Sequence, residues 1–351
     1  MKLSKRYWIV LVLSMVLKLI FVYSVPIVPE IGDETAHWRY IQEVKDTGHP
    51  LNHSEQWYTG NQTYQASNNP LYYYVNATLC STTTEARWLS VLISMVALTI
   101  FATVCYRYSM WWPFLFLAVL PASAIAVSKV GGDCWVYSIV LMMVYAYDKK
   151  NDFLMLLLIA ISANLRVEGL FIAAILFGHL VWRWWRTGWK QITVLHSLSA
   201  AATMIVMIVA AVIVIDRMPL FISGHSHVDR TFDTFSKVSE PINQAFISLW
   251  FNYGIEQYFW VWFLLIPAVI VSWKFTKTFI HTAKTVMKTQ WAPMLIVLST
   301  GMIFLGQSYM QNASNGRYLL NFVPWMAYVI YKDIYDQQLK AKIQTKRGAN
   351  I

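Results

Sequence analysis

Apolar runs long enough to cross a bilayer recur along this chain, and nothing else constrains its fold as strongly. A helix spanning the hydrocarbon core needs about 20 apolar residues, and the first run, from Tyr7 to Val25, is almost wholly apolar. Further runs follow, and the pattern predicts spans at 7–27, 86–105, 111–128, 133–147, 153–165, 168–185, 194–215, 256–273, 291–308 and 317–332. Those at 133–147 and 153–165 are short for a full crossing. They read as tilted, or as ending in irregular backbone that lines a cavity. With 57% hydrophobic and 13% charged residues the chain does not have the make-up of an ordinary soluble domain. The expected fold is therefore all-α: a single integral membrane domain over 1–351, polytopic, with about ten transmembrane helices. Seventeen tryptophans and twenty tyrosines supply material for interfacial aromatic belts.

A net charge of +10 would suit a nucleic-acid partner, but the charge forms no patch. It is sorted by side. With the N-terminus assigned to the cytoplasm, eighteen of the 28 basic residues fall on inner segments, among them Lys2, Lys5, Arg6, Arg107, Lys149, Arg183, Lys277 and Lys340. Fourteen of the 18 acids fall outside. The positive-inside rule then gives ten spans in an inner (plasma) membrane, both termini cytoplasmic, and no nucleic-acid role. An odd number of spans would spoil that alternation. The basic start and apolar run of MKLSKRYWIVLVLSMVLKLIFVYSV are followed by no small-x-small site, so this reads as a retained span and not a cleaved signal. Cys80, Cys105 and Cys134 are too scattered for a disulfide framework or zinc spacing.

Two outer segments are long, 26–85 and 216–255, and loops of such length are usually functional or disordered. The first opens with VPEIGDETAHWRY, which places Glu30, Asp33 and Glu34 directly after the first apolar run. From Glu34 to Lys45 the pattern of Trp38, Tyr40, Ile41 and Val44 predicts a short helix on the membrane surface, ended by Gly48 and Pro50. Asp33 suits a helix cap, and it equally suits a general base at the outer face, taking a proton from an acceptor hydroxyl. Glu34 is the second catalytic candidate. Glu34 and His37 stand three apart and with Asp33 offer ligands for a divalent cation, although no cofactor is required.

The remaining candidates lie on the same side. YQASNNPLYYYVNA carries Asn69, held extended by Pro70, and Tyr72; it reads as substrate-binding or as an interfacial anchor. In KVGGDCWVY, Lys129 precedes Asp133, which opens a helix where the dipole favours its charge. NLRVEG places Arg166 and Glu168 in a very short turn, where they pair with each other or with Asp133. NASNGRYLLNFVP places Arg317 and Tyr318 at the start of the last span, and a guanidinium there suits phosphate oxygens or simply snorkels. The two histidines of HSHVD, 225–229, read as solvated. A reaction on this side has no nucleotide sugar to draw on, so its donor would be membrane-borne.

These pieces, in order, resemble the GT-C superfamily of polytopic glycosyltransferases, which includes protein O-mannosyltransferases and the aminoarabinose transferase of lipid A. PEIGDETAHWRYIQEVKDTGHPL is similar to the family's D-E-x-x-H first-loop motif ending in G-x-P. NNPLYYYV is similar to its P-P-L-Y-Y segment, KVGGDCWVY to its N-x-D helix start, and NGRYLLNFVP to its Q-G-R-Y-L-F-P terminal motif. The match spans 29–324 and departs at Asn69, where proline is usual, and at Gly131-Gly132 before Asp133. The resemblance implies an inverting transfer of sugar from a polyprenyl-phosphate donor to a glycan, lipid or protein acceptor. Asp33 would be the base, and Arg317, Arg166 and Lys129 would hold the phosphate. His37, Asn69, Tyr72, Asp133 and Tyr318 would contact substrate. The competing expectations are a lipid-linked sugar flippase or small-solute transporter, and a glycan polymerase or ligase.

Overall fold

The computed structural model describes residues 3–24, 33–48, 55–58, 62–64, 70–119, 130–189, 192–223, 290–299, 321 and 323–348, with backbone alone at some of them, Asp33 and Asp133 included. The described chain is mostly helical. Helix α1 (Lys5–Ser24) is followed by α2 (Asp33–Thr47), strands β1 (Glu55–Tyr58) and β2 (Gln62–Tyr64), and α3 (Leu71–Leu79). Then come α4 (Thr83–Arg107), α5 (Trp111–Val119), α6 (Asp133–Lys149), α7 (Asp152–Ala163), α8 (Val167–Arg186) and α9 (Val194–Ser223). A stretch at 291–299, α10, and α11 (Val323–Gly348) complete the described elements.

Among the described residues, three helices are long and apolar enough to cross a membrane: Lys5–Ser24, Thr83–Arg107 and, within α9, Val194–Ile213. Helix α7 is apolar but shorter. The expected span 256–273 lies outside the described residues, as do parts of 111–128, 291–308 and 317–332. Helix α4 begins with a reciprocal cap. Thr82 Oγ1 accepts from the Glu85 amide at 3.2 Å, and Glu85 Oε2 accepts from the Thr82 amide at 3.3 Å.

Helix α4 lies against α1 and α6, while α7 and α8 form a hairpin that α9 joins along α7. The hairpin closes tightly because Gly169 has no side chain. A Cβ there would sit 2.2 Å from the Ser162 carbonyl oxygen, and Ser162 Oγ donates to the Gly169 carbonyl at 3.1 Å. On α9, Leu195, Leu198, Ile205, Ile208, Val209 and Val212 are exposed, an apolar face that lipid would cover.

Three features differ from the sequence expectation. A small antiparallel hairpin, not expected from the sequence, pairs Glu55 with Tyr64 and Gln56 with Thr63 inside the first long segment of an otherwise helical described chain. Helix α9 runs to Ser223, eight residues into the segment read as the 216–255 loop. Helix α11 continues past 332 to Gly348, because no breaker intervenes and Lys332–Asp336 and Asp333–Gln337 pair one turn apart, at 3.0 and 2.7 Å.

Candidate functional site

The site grows from α2. That helix forms where the amphipathic pattern predicts it, and Gly48 ends it in a left-handed conformation, φ 75°, returning its amide to the Val44 carbonyl at 2.9 Å. Its inner face buries Glu34, His37, Tyr40, Ile41 and Val44, spaced three or four apart. The face rests on Tyr72 and Tyr73 of α3, and both short helices share one hydrophobic core with α1, α4 and α6.

Arg87, in the second turn of α4, is the hinge pin of this arrangement. Its Nε and Nη2 donate to Glu34 Oε1 and Oε2, both at 2.8 Å, and its Nη1 donates to the Val22 carbonyl at 3.1 Å. The Val130 amide, just before α6, donates to Glu34 Oε1 at 2.7 Å. Arg87 is 4% exposed and Glu34 8%. One bidentate ion pair therefore joins the end of α1, the start of α2, the head of α4 and the approach to α6. Both oxygens of Glu34 are engaged, and taking up a proton or a metal would mean surrendering those bonds. Glu34 is thus built into the scaffold, although its position in the motif marks it equally for catalysis.

An aromatic wall stands beside the ion pair. His37 Nδ1 and the Tyr73 hydroxyl are 2.9 Å apart, and Tyr40 and Tyr73 lie with ring centroids 5.5 Å apart. Tyr72 packs edge-on against Trp135 at 5.2 Å, and Trp135 Nε1 donates to Ser90 Oγ on α4 at 3.0 Å. Burial pushes the Tyr72 hydroxyl well above its ordinary 10.0; Tyr73 and the Glu34 carboxylate add to this, and the Gly131 backbone offsets part of it.

Asp33 is the first residue of α2 and Asp133 the first of α6, whose N-cap is Gly132 without a side-chain cap bond. The ion pair thus brings two sequence candidates to one end of the fold, each adjacent or close to a clamped position: Asp33 beside Glu34, and Asp133 three residues after Val130. Arg166 pairs with Glu168, Nε to Oε2 at 3.1 Å, in the α7–α8 turn. The two-residue link from α6 to α7 returns the chain, so this turn belongs to the same end as the start of α6. Lys129, Asn69, Arg317 and Tyr318 lie outside the described residues. Among the described residues, no three His, Cys, Asp or Glu side chains gather as a metal would require.

The opposite end is held by carboxylates as well. Asp148 accepts from Arg107 at 2.9 Å, from the Tyr108 hydroxyl and, at 3.5 Å, from Tyr328 of α11. Asp152 accepts from Arg183 and, at 2.7 Å, from Trp184 Nε1. These acids tie helix ends together.

Arg87 was missed in the sequence reading, where it falls at the start of the apolar run 86–105. A signal was present: a cation two residues after a capping box, where the run should be uninterrupted. Compared with known proteins, the chain matches no family model, no curated protein and no solved structure.

Proposed function

We propose that the chain is an inverting glycosyltransferase of GT-C type, moving a sugar from a polyprenyl-phosphate carrier to a glycan, lipid or protein acceptor at the outer face of the inner membrane. The observation that carries this reading is the Arg87–Glu34–Val130 junction, which gathers the starts of α2 and α6 above membrane-length helices. In this reading Asp33 takes the proton of the acceptor hydroxyl as that oxygen bonds to the anomeric carbon. The bond from that carbon to the phosphate oxygen breaks on the opposite face, and the carrier leaves as its phosphate. A phosphate leaves without a strong general acid, so the site needs cations for the developing charge, a role assigned to Arg317, Arg166 and Lys129. Glu34 and Arg87 position Asp33. Engagement of both Glu34 oxygens favours Asp33 over Glu34 as the base. No cofactor is invoked; a divalent cation at Asp33 and His37 would compete with the bond between His37 and Tyr73.

The test is sugar transfer by purified protein in nanodiscs. Asp33→Asn keeps helix-start chemistry, since Asn caps as well as Asp, but cannot accept the proton. Transfer should fall by roughly 10²–10⁴, the usual contribution of a general base, with folding intact. Wild-type activity in Asp33→Asn would remove the base assignment.

A further inference from the structure

Helix α11 crosses the end of the bundle where α4 and α6 finish. Arg107 and Asp148, paired at 2.9 Å, hold those two ends side by side. Trp325 and Tyr328 meet the ring of Tyr147, in the last turn of α6, with centroids 5.6 and 5.8 Å apart. Tyr328 also meets Tyr108, the residue that closes α4, at 5.8 Å, and Tyr335 meets the same ring at 5.3 Å. Lys332 Nζ stands 5.7 Å from the centroid of that ring. From 325 to 335, about 15 Å of helix axis, α11 thus passes from the end of one neighbour to the end of the other. The charge sorting assigns this end to the cytoplasm.

Beyond the crossing the helix emerges. Tyr335, Gln337, Gln338 and Leu339 are exposed. The two acids of this stretch are occupied, Asp336 by Lys332 at 3.0 Å and Asp333 by the Gln337 amide at 2.7 Å. From 337 to 348 the chain has four basic residues, Lys340, Lys342, Lys346 and Arg347, and no acid. The helix is continuous through them. At about 3.6 residues per turn, its register places Leu339, Lys342, Ile343 and Lys346 on the side of Tyr335, flanked by Lys340 and Arg347. The opposite side carries Gln337, Gln338, Ala341, Gln344 and Thr345, none of them charged. Cations and apolar residues therefore share one side. A helix standing free in water gains nothing from that sorting, whereas one lying on an anionic surface with an apolar layer beneath it does.

We propose that α11 from Tyr335 onward is an interfacial anchor that docks on the anionic phospholipid headgroups of the leaflet at this end of the bundle. Tyr335, Leu339 and Ile343 enter the acyl boundary, and the four cations meet lipid phosphates. The crossing already carries the helix over the bundle end, at the level of the headgroups, so docking needs no break in it. The anchor rests on the membrane reading alone and is independent of any sugar transfer.

The experiment reconstitutes the full chain in nanodiscs of phosphatidylcholine, with or without phosphatidylglycerol. A fluorophore is placed on a single cysteine introduced at Leu339 or, across the helix, at Gln337; the native Cys80, Cys105 and Cys134 are buried. Quenching by a lipid-borne quencher reports contact with the bilayer. The label at 339 should be quenched in anionic discs and much less in phosphatidylcholine alone, and the label at 337 should stay in water in both. Each basic residue near an anionic surface favours it roughly fivefold, so replacing all four by Gln should release the arm with the melting temperature of the bundle unchanged. Salt at about 1 M, where charges are screened within about 3 Å, should release it in the unsubstituted arm, which keeps the test open should the fourfold variant fail to fold. Equal quenching in the two lipids would overturn recognition of anionic headgroups, and equal quenching at 337 and 339 would overturn the docking face. A label at 339 that stays in water in both lipids would remove the membrane as the occupant and leave the arm to a cytoplasmic protein. Discs expose both leaflets and the readout needs no turnover, so neither inverted topology nor absence of transferase activity alters these outcomes.

Discussion

Arg87 and Glu34 illustrate how two buried residues fix where four segments of the chain meet. Their pair is buried, bidentate and completed by two backbone groups, so removing one partner strands the other. Glu34→Leu or Arg87→Met should each cost about 3–5 kcal/mol. The double variant Glu34→Leu/Arg87→Met should recover a good part of that loss, because no charge is left uncompensated. Chemical unfolding in detergent checks this, and single-variant costs that simply add in the double variant would contradict it. Tyr72 makes a pH prediction. Its folded value lies above the ordinary 10.0, so its contribution is fully present below pH 10.0 and is lost as pH rises through the folded value. Tyr72→Phe should therefore lose less stability than wild type above pH 10.0, measured as melting temperature against pH. Glu34 was legible as a motif residue, but its partner stands 53 positions away. A single sequence shows which residues are charged and gives no means of pairing them across that distance.

Among the elements, α2 was the most legible. Its apolar spacing and its stop at Gly48 are local properties, and local properties survive folding unless packing overrides them. The β1–β2 hairpin was not read, although Thr59-Gly60-Asn61 separates two short aromatic stretches; strands of four and three residues are too brief for alternation to stand out. The start of α6 was legible from Asp133, an acid opening an apolar run where the helix dipole favours its charge, whereas the role of Val130 as an amide donor to Glu34 was not, because any residue but proline supplies that group. At the α7–α8 hairpin the close approach of Gly169 to Ser162 makes a direct prediction. Gly169→Ala should destabilise by about 1–3 kcal/mol through overpacking, seen as a lower unfolding midpoint, while Gly178→Ala, where no atom lies within 4 Å of the added methyl, should be tolerated. Equal effects at the two glycines would mean that the hairpin relaxes freely.

At the scale of the whole molecule, the charge sorting predicts that the segment 26–85 faces outward and that both termini face the cytoplasm. Cys80, Cys105 and Cys134 are buried and should label slowly, so a cysteine at Ser54 should react with an impermeant reagent on intact cells and one at Thr276 should not. The reverse result would invert the topology and move the proposed site to the wrong side. The alternation of apolar runs and charges made the membrane character readable. Which helices converge on Arg87 was not readable, because that depends on packing between runs of near-identical composition. The most direct measurement follows a doubly labelled polyprenyl-phosphate sugar, with sugar and lipid marked separately, in vesicles holding the purified protein and acceptor. The account predicts that the sugar parts from its lipid with inversion at the anomeric carbon, leaving polyprenyl phosphate behind. If both labels instead cross the bilayer together and the sugar bond stays intact, the protein is a flippase and the transferase account is contradicted.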